Sequence, residues 1–140
     1  MDIGRVAVRT YIDSGVLISL FRGDDKIAGT ALSFLNDPLR EYVTSDYVKV
    51  EVLPKSIFHN HEDERRFYED FFKSSKIHVP SSDDLLSFAI DEGAKTGISG
   101  MDAIHVACAV IAQAKELITS EKPTKPIHRA IGVKVISINF

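Results

Sequence analysis

Residues 6–18 of the chain read VAVRTYIDSGVLI, two apolar runs joined by an Asp-Ser-Gly step. The β-branched and aromatic residues of the first run favour a buried strand, and the second run favours a helix that follows after a sharp turn. Asp13 stands at the carboxyl end of that strand, where open α/β sheets collect their binding groups. The alternative is that Asp13 serves only as the N-cap of the helix, a common position for Asp.

The composition describes an ordinary globular protein. The 140 residues are enough for one domain with its own core, and we expect a single domain over residues 1–140. The net charge of −3 argues against a general attraction to nucleic acid. The single cysteine, Cys108, excludes an internal disulfide and favours a reducing compartment. Neither a membrane-spanning run nor a signal-peptide pattern is present, so we expect a cytoplasmic protein without a membrane partner.

Strand and helix patterns alternate along the rest of the chain. Short strands are predicted at residues 41–44, 77–80, 117–119 and 133–138, and helices at 14–21, 27–35 and 101–115, with three more beginning near positions 45, 60 and 81. Strands that alternate with helices form right-handed βαβ crossovers and a parallel sheet covered on both faces. We therefore predict an α/β fold of three layers, α/β/α, around a central parallel sheet of about five strands.

Several residues mark predicted helix ends. Pro54 lacks a backbone donor, so the helix that begins near position 45 should kink or stop there. Asn60 is expected to cap the next helix, and Ser81 with Asp84 resembles a capping box that opens the one after it. Gly97 should end that helix.

Three acidic residues occupy positions that suit a functional site. Asp13 ends the first strand, Glu51 lies within a mainly apolar helix, and Asp102 is in the first turn of the most apolar helix. The helix dipole and free amide groups should keep Asp102 ionised. Each acid also has a structural alternative, because Glu51 could point to solvent and Asp102 could serve only the helix dipole.

A cluster of such acids would predict a bound cation. Neighbouring carboxylates repel one another unless a cation neutralises them, and oxygen ligands with few histidines favour Mg²⁺ or Mn²⁺ over zinc. A carboxylate cage at the end of a sheet suits metal-assisted phosphodiester hydrolysis, in which the ion polarises a phosphoryl oxygen and lowers the pKa of water.

These residues resemble the PIN domain family, and its VapC-like toxin ribonucleases in particular. The resemblance rests on YIDS at residues 11–14, on Glu51 and on DAIHVA at residues 102–107, and it extends over nearly the whole chain. It implies a metal-dependent endoribonuclease with an acidic pocket for Mg²⁺ or Mn²⁺, in which Asp13, Glu51 and Asp102 are the catalytic, metal-binding acids. It also implies an RNA substrate, a cognate antitoxin and a homodimer.

The chain departs from the family pattern at the fourth acid. The family has an acid, usually Asp, after the fourth strand, whereas this chain reads ITSEKP at residues 118–123. Glu121 is the corresponding acid, and its longer side chain reaches the metal directly, acts through water or lies in solvent. Thr119 or Ser120 could supply a hydroxyl ligand instead. Ser14 occupies the hydroxyl position that often follows the first Asp, where it would orient that Asp or a water molecule.

The histidines divide into two groups. His105 follows Asp102 by three residues and therefore lies on a neighbouring face of the same helix. We interpret it as a hydrogen-bonded, partly buried residue, with contact to the site as the alternative. His59 and His61 lie in a predicted loop without a partner motif, so we reject them as a zinc site.

The chain beyond Glu121 is basic, with Lys122, Lys125, Arg129 and Lys134 and no acidic residue. We expect Lys122, Lys125 and Arg129 to bind the RNA backbone, and the alternative is an ordinary solvated surface.

Candidate surfaces for a dimer or an antitoxin are the apolar positions of residues 27–35 and 67–72, unless both belong to the core. Two other functions stay open. One is a non-catalytic PIN-like module that binds RNA or protein and in which Glu121 marks a degraded fourth ligand. The other is a phosphotransfer receiver domain, which needs a pair of acids at the end of the first strand, where this chain has only Asp13.

Overall fold

The structure is a computed structural model that describes residues 7–140, so the first residue of the predicted opening strand, Val6, lies outside the described residues. Within this range the strands are β1 (Val8–Ile12), β2 (Arg40–Ser45), β3 (Ile77–Val79), β4 (Glu116–Thr119) and β5 (Lys134–Ser137). The helices are α1 (Ser14–Arg22), α2 (Asp25–Leu35), α3 (Asp46–Phe58), α4 (Glu62–Ser74), α5 (Asp83–Thr96) and α6 (Gly100–Ile111).

The five strands form one parallel sheet in the order β3-β2-β1-β4-β5. Helices flank both faces, so the predicted three-layer α/β/α fold is confirmed. β1 is the middle strand, as its buried Tyr11 and Ile12 require, and both side chains are 0% exposed. All carboxyl ends therefore meet at one edge of the sheet, and Asp13, directly after β1, lies at the centre of that edge.

Pro54 does not stop its helix, since α3 continues to Phe58. A proline removes one backbone donor but leaves the following turn free to form. That turn is held by Ser56, which is buried and whose hydroxyl donates to the carbonyl oxygens of Leu53 and Val52.

Two other predicted helix ends shift by one residue and a third is confirmed. The N-cap before α4 is His61 rather than Asn60, whose φ of 55° marks it as part of the turn. Ser82, not Ser81, caps α5 by accepting from the amide of Leu85. Gly97 ends α5 in the left-handed conformation, as predicted.

The most apolar helix, α6, ends at Ile111, four residues earlier than predicted. The chain leaves the helix at Gln113, whose φ is 58°. The amide of Ala114 then donates to the carbonyl oxygen of Ala109. The sequence has no glycine or proline at this turn. For that reason the hydrophobic pattern alone predicted a longer helix.

The candidate contact surface on α4 is mainly core, whereas α2 buries Ala31 and leaves Leu32 49% exposed. Tyr68 and Phe71 of α4 and Ala31 of α2 are buried, and Phe67 packs against the same cluster. Cys108 is also fully buried, and burial raises the pKa of its thiol to about 11. No helix within residues 7–140 has the length and apolar character needed to cross a bilayer.

Candidate functional site

Asp13 follows β1 and is the N-cap residue of α1, yet its side chain accepts no hydrogen bond from the helix amides. Its carboxylate instead accepts a hydrogen bond from the neighbouring strand, β4. Thr119, the last residue of β4, donates from Oγ1 to Asp13 Oδ2 over 2.9 Å. The Asp13 amide donates to the carbonyl oxygen of Ile118, and the residue is 6% exposed. A capping role therefore does not account for this carboxylate.

Glu51 comes to the same edge from α3 and does not point away into solvent. Its Oε1 accepts from Ser14 Oγ over 2.9 Å and lies 2.6 Å from Nε2 of His105. Ser14 Oγ is also 3.2 Å from Asp13 Oδ1. Because a hydroxyl carries one hydrogen, Ser14 shares it between the two carboxylates and links them.

His105 lies on α6 and is 1% exposed, so the interpretation of a hydrogen-bonded histidine holds and burial is nearly complete. Its Nδ1 is 2.7 Å from the hydroxyl of Tyr11, which in turn is 2.9 Å from Ser45 Oγ. Ser45 accepts from the amide of Val48 and so caps α3. The imidazole is thereby fixed at both nitrogens, between the middle strand and Glu51.

One oxygen each from Asp13 and Glu51 and one ring nitrogen of His105 all lie within 4.8 Å of one another, close enough to surround a single metal ion. Carboxylate oxygens suit Mg²⁺ and Mn²⁺, so the donor set fits the predicted class of ion. Nε2 of His105 can donate a hydrogen bond to Glu51 or bind an ion, but it cannot do both at once. A ring nitrogen holds either a proton or a metal ion. From the sequence, contact of His105 with the site is only the alternative interpretation. Its spacing of three residues from Asp102 was the signal that could have identified it as a site residue.

Asp102 is half-buried in the first turn of α6 and is outside the group of ligand atoms formed by Asp13, Glu51 and His105. Burial raises the pKa of its carboxyl above 3.8, and the charges of Asp13, Glu121 and Glu51 raise it further, against the effect of His105. The raised pKa works against the ionised form, and the expectation that Asp102 stays ionised remains a prediction. Asp102 is close enough to these acids to share their electrostatic environment.

The segment after β4 is anchored by its backbone. The Glu121 amide donates to Thr119 Oγ1 over 3.1 Å, and the Glu121 carbonyl oxygen accepts from Ser137 Oγ over 2.7 Å. Ser120 Oγ lies against the backbone of Gly15, at a distance that leaves no room for a Cβ on that glycine. Glu121 is half-buried and acts on Asp102 through its charge, but its carboxylate is outside the group formed by Asp13, Glu51 and His105.

The remaining predicted site residues lie away from this cluster or at the surface. Lys122, Lys125 and Arg129 are exposed in the segment between β4 and β5. His59 and His61 are exposed, with their rings stacked at a centroid distance of 5.6 Å. Among the described residues they belong to no group of three potential metal ligands.

A sequence model of the PIN domain family matches residues 10–123, which include Asp13, Glu51, Asp102 and Glu121. Among curated proteins, none is similar enough in sequence to count as a relative.

Solved structures with the same fold include several toxin–antitoxin complexes. A toxin–antitoxin complex from Klebsiella pneumoniae is 22% identical, with a TM-score of 0.69, over 92% of this chain and 97% of that one. VapBC-1 from nontypeable Haemophilus influenzae is 20% identical, with a TM-score of 0.65, over 94% of this chain and 98% of that one. VapBC2 from Rickettsia felis, bound to a DNA fragment from its promoter, is 13% identical, with a TM-score of 0.67, over 93% and 98%.

Proposed function

The chain belongs to the PIN domain family, and from that premise we propose that it is a metal-dependent endoribonuclease, the toxin of a toxin–antitoxin pair. The observation that carries the proposal is the cluster of Asp13, Glu51 and His105 ligand atoms within 4.8 Å at the carboxyl edge of the sheet. Buried acids of this kind need a positive partner, and RNA phosphates are a substrate class on which a divalent ion acts.

We assign the binding of Mg²⁺ or Mn²⁺ to Asp13, Glu51 and Asp102, with Glu121 as a fourth acid. The shared electrostatic environment of these residues supports the assignment, because Asp13, Glu51 and Glu121 all raise the pKa of Asp102. Each of the four acids would then contribute negative charge to the ion, and Glu121 would do so over the longest reach. When bound, such a cation polarises a phosphoryl oxygen and lowers the pKa of a water molecule.

The surrounding side chains hold the acids in position. Thr119 fixes one oxygen of Asp13, and Ser14 links Asp13 with Glu51. In the metal-free protein Nε2 of His105 lies 2.6 Å from Glu51 Oε1 and Nδ1 lies 2.7 Å from the Tyr11 hydroxyl, so we assign to His105 the positioning of Glu51. Partners of this kind tune metal sites because they restrict the rotamers of the ligands.

The proposed partners are RNA, a cognate antitoxin and a second copy of this chain. The antitoxin proposal is supported by the likeness of the fold to proteins solved in toxin–antitoxin complexes, one of them on promoter DNA. If it is correct, expression of this chain alone should arrest bacterial growth. Co-expression with its antitoxin, expected as a small DNA-binding protein from the adjacent gene, should restore growth.

The nuclease proposal is tested with purified protein and a single-stranded RNA in the presence of Mg²⁺ or Mn²⁺. We expect hydrolysis by the native chain and its loss in Asp13→Asn and in Asp102→Asn. Asp83→Asn, which alters an exposed acid at the start of α5, is the matched control and should remain active. Full activity in both site variants would overturn the assignment.

The second candidate is a non-catalytic PIN-like module, favoured by the glutamate at position 121 in place of the usual aspartate. Calorimetric titration with Mn²⁺ separates the two. Saturable binding that is lost in Asp13→Asn supports the nuclease, and the absence of saturable binding supports the module.

A further inference from the structure

A buried hydrogen-bonded chain lies behind the candidate metal ligands, and the proposed function gives two of its members no role. The hydroxyl of Tyr11 is 2.7 Å from Nδ1 of His105 and 2.9 Å from Oγ of Ser45. Tyr11 and Ser45 are 0% exposed and His105 is 1% exposed, so water does not compete for these contacts. Nε2 of the same histidine lies 3.7 Å from an oxygen of Asp13. The chain therefore ends at the proposed metal site.

The chain begins and ends on the same helix, α3. Ser45 accepts from the amide of Val48 in the first turn of α3, and Glu51, one turn later, lies 2.6 Å from Nε2 of His105. Tyr11 on β1 and His105 on α6 connect these two points. The hydrogen bonds therefore hold Glu51 at a fixed place relative to the middle strand and to α6.

The direction of these hydrogen bonds follows from Glu51. Burial opposes the charge of Glu51, but His105 and Ser14 lower the pKa of its carboxyl, so the group is ionised at neutral pH and can only accept. Nε2 of His105 must therefore carry a proton. A neutral imidazole has one N–H, so Nδ1 is then an acceptor and the Tyr11 hydroxyl donates to it. An imidazolium carries a proton on both nitrogens, so Nε2 is protonated in either form.

Coordination of an ion by His105 would require this chain to rearrange. Nε2 would have to lose its proton, the proton of the neutral ring would lie on Nδ1, and the Tyr11 hydroxyl would have to turn its hydrogen towards Ser45. Within residues 7–140 the other partner left for the hydrogen of Ser45 is the thiol of Cys108, which is a weak acceptor. The rearranged chain would leave a hydroxyl poorly paired in the interior, which costs free energy.

We propose that Tyr11 is a positioning residue that keeps the proton on Nε2 of His105, so that carboxylates are the only protein ligands of the ion. The inference rests on the metal-dependent function proposed above. Oxygen ligands alone suit Mg²⁺ and Mn²⁺, whereas an imidazole ligand would raise the affinity for Zn²⁺. The tyrosine would therefore contribute to the choice of metal without touching it.

Two spectra of the native chain test this arrangement without an activity assay. In EDTA, at a pH where the imidazole is neutral, NMR of the ring nitrogens of His105 should show the proton on Nε2 and none on Nδ1. With Mn²⁺ bound, pulsed EPR should show no hyperfine coupling from a directly coordinated nitrogen. A proton on Nδ1 of the neutral ring, or a directly coordinated nitrogen, overturns the inference.

Tyr11→Phe removes the donor to Nδ1 and nearly preserves the shape of the side chain. Nothing then holds the proton on Nε2 once an ion engages Glu51, so we expect the ratio of Zn²⁺ affinity to Mn²⁺ affinity, measured by calorimetry, to rise about tenfold. Tyr42→Phe is the matched control, because it removes a hydroxyl that donates to the carbonyl oxygen of Phe34, and it should keep the native ratio. A purely structural role for Tyr11 would lower the Tm and both affinities together. An unchanged ratio in a folded Tyr11→Phe overturns the inference.

The Mn²⁺ titration separates this inference from the proposed function. Saturable binding with a coordinated nitrogen overturns the inference and leaves the metal-binding proposal intact. Absence of saturable binding overturns the proposed metal-dependent function, and the assignment of Tyr11 falls with it. The spectra of the native chain need no variant, so they decide the inference even if Tyr11→Phe folds poorly.

Discussion

Nε2 of His105 lies 2.6 Å from Oε1 of Glu51, in a position where the imidazole is 1% exposed. Burial disfavours the imidazolium, but the hydrogen bond to Glu51 and the charge of Asp13 outweigh it and raise the pKa of His105 above 6.5. Burial likewise opposes the carboxylate of Glu51, yet His105 and Ser14 lower its pKa below 4.5. Each partner thus favours the charged form of the other.

This pair predicts how the stability of the metal-free protein depends on pH. The raised pKa of His105 stabilises the fold fully below 6.5, and that contribution is lost as the pH rises through the folded value. The lowered pKa of Glu51 stabilises the fold above 4.5 and loses its effect as the pH falls through the folded value. The Tm advantage of the native chain over His105→Gln should therefore be largest between pH 4.5 and 6.5.

Thermal unfolding in EDTA, followed from pH 4 to pH 9 by circular dichroism, checks this expectation. His59→Gln is the control, because that histidine is exposed at the end of α3 and should give a pH profile like that of the native chain. A Tm difference between the native chain and His105→Gln that stays constant across the range would contradict the account.

Asp102→Asn should stabilise the metal-free protein at pH 7. Burial and the neighbouring acids raise the pKa of this carboxyl, so its ionised form opposes folding at neutral pH and the effect disappears as the pH falls towards 3.8. We expect the Tm in EDTA to rise by about 2 °C. Saturating Mn²⁺ should then raise the Tm of the native chain much more than that of the variant. A fall of Tm in EDTA would mean that Asp102 has a stabilising partner.

Thr119→Val should weaken metal binding without unfolding the protein. Valine has nearly the same shape but removes the donor to Asp13 and the acceptor for the Glu121 amide. Loss of a partner that orients a metal ligand costs about tenfold or more in affinity. Calorimetry with Mn²⁺ measures the change, and Thr119→Ser, which keeps the hydroxyl, should bind within a few-fold of the native chain. Equal affinities for the valine and serine variants would show that this hydrogen bond is unimportant.

Glu116→Gln should affect stability and leave the site unchanged. Glu116 opens β4 at the opposite edge of the sheet from Asp13, is 7% exposed and pairs with Arg40 at 3.3 Å. A glutamine there leaves the guanidinium with Asp37 as its one ionic partner within residues 7–140, and we expect a loss of about 1–2 kcal/mol in the free energy of unfolding. Urea denaturation measures this loss, while the Mn²⁺ titration should not change. Weaker Mn²⁺ binding by this variant would instead show that Glu116 influences the metal site.

The triple variant Lys122→Gln, Lys125→Gln, Arg129→Gln should bind single-stranded RNA more weakly at every sequence. Each lost phosphate contact lowers the slope of log K against log salt by about 0.7. Fluorescence anisotropy over a series of salt concentrations measures this slope.

The control for that experiment replaces three exposed lysines in other segments of the chain, Lys26, Lys76 and Lys95, by glutamine. It removes the same charge and should keep the native slope. Identical behaviour of the two triple variants would indicate a general effect of net charge rather than a basic binding segment.

The fold followed from local patterns. Alternating strand and helix signals were enough to predict a parallel sheet of about five strands, because hydrophobic periodicity and βαβ handedness are properties of short segments. Helix ends were less predictable. Gln113 turns out of α6 in a left-handed conformation that no glycine announces, and α3 passes through Pro54.

Asp13 and Asp102 could be selected as candidate acids from the sequence, since strand ends and first helical turns are recognisable positions, whereas Glu51 depended on the family resemblance. The hydrogen-bond partners of the acids could not be selected in this way. Thr119 and Asp13 are 106 residues apart, and His105 and Glu51 are 54 apart. Contacts of this kind arise only when separate elements pack on the common sheet, so no periodicity of the chain encodes them.

Protonation preferences were equally beyond the sequence. The position of Asp102 in a first helical turn predicted a carboxyl that stays ionised, and only the packing reveals that burial and the charges of Asp13 and Glu121 raise its pKa. A cavity lined by Glu51, Glu64 and Tyr68 likewise exists only because α1, α3 and α4 meet there. Residue types and their order determined the fold and the candidate acids. Hydrogen-bond partners, charge states and cavities depended on long-range packing, because electrostatic and steric interactions act through space and not along the chain.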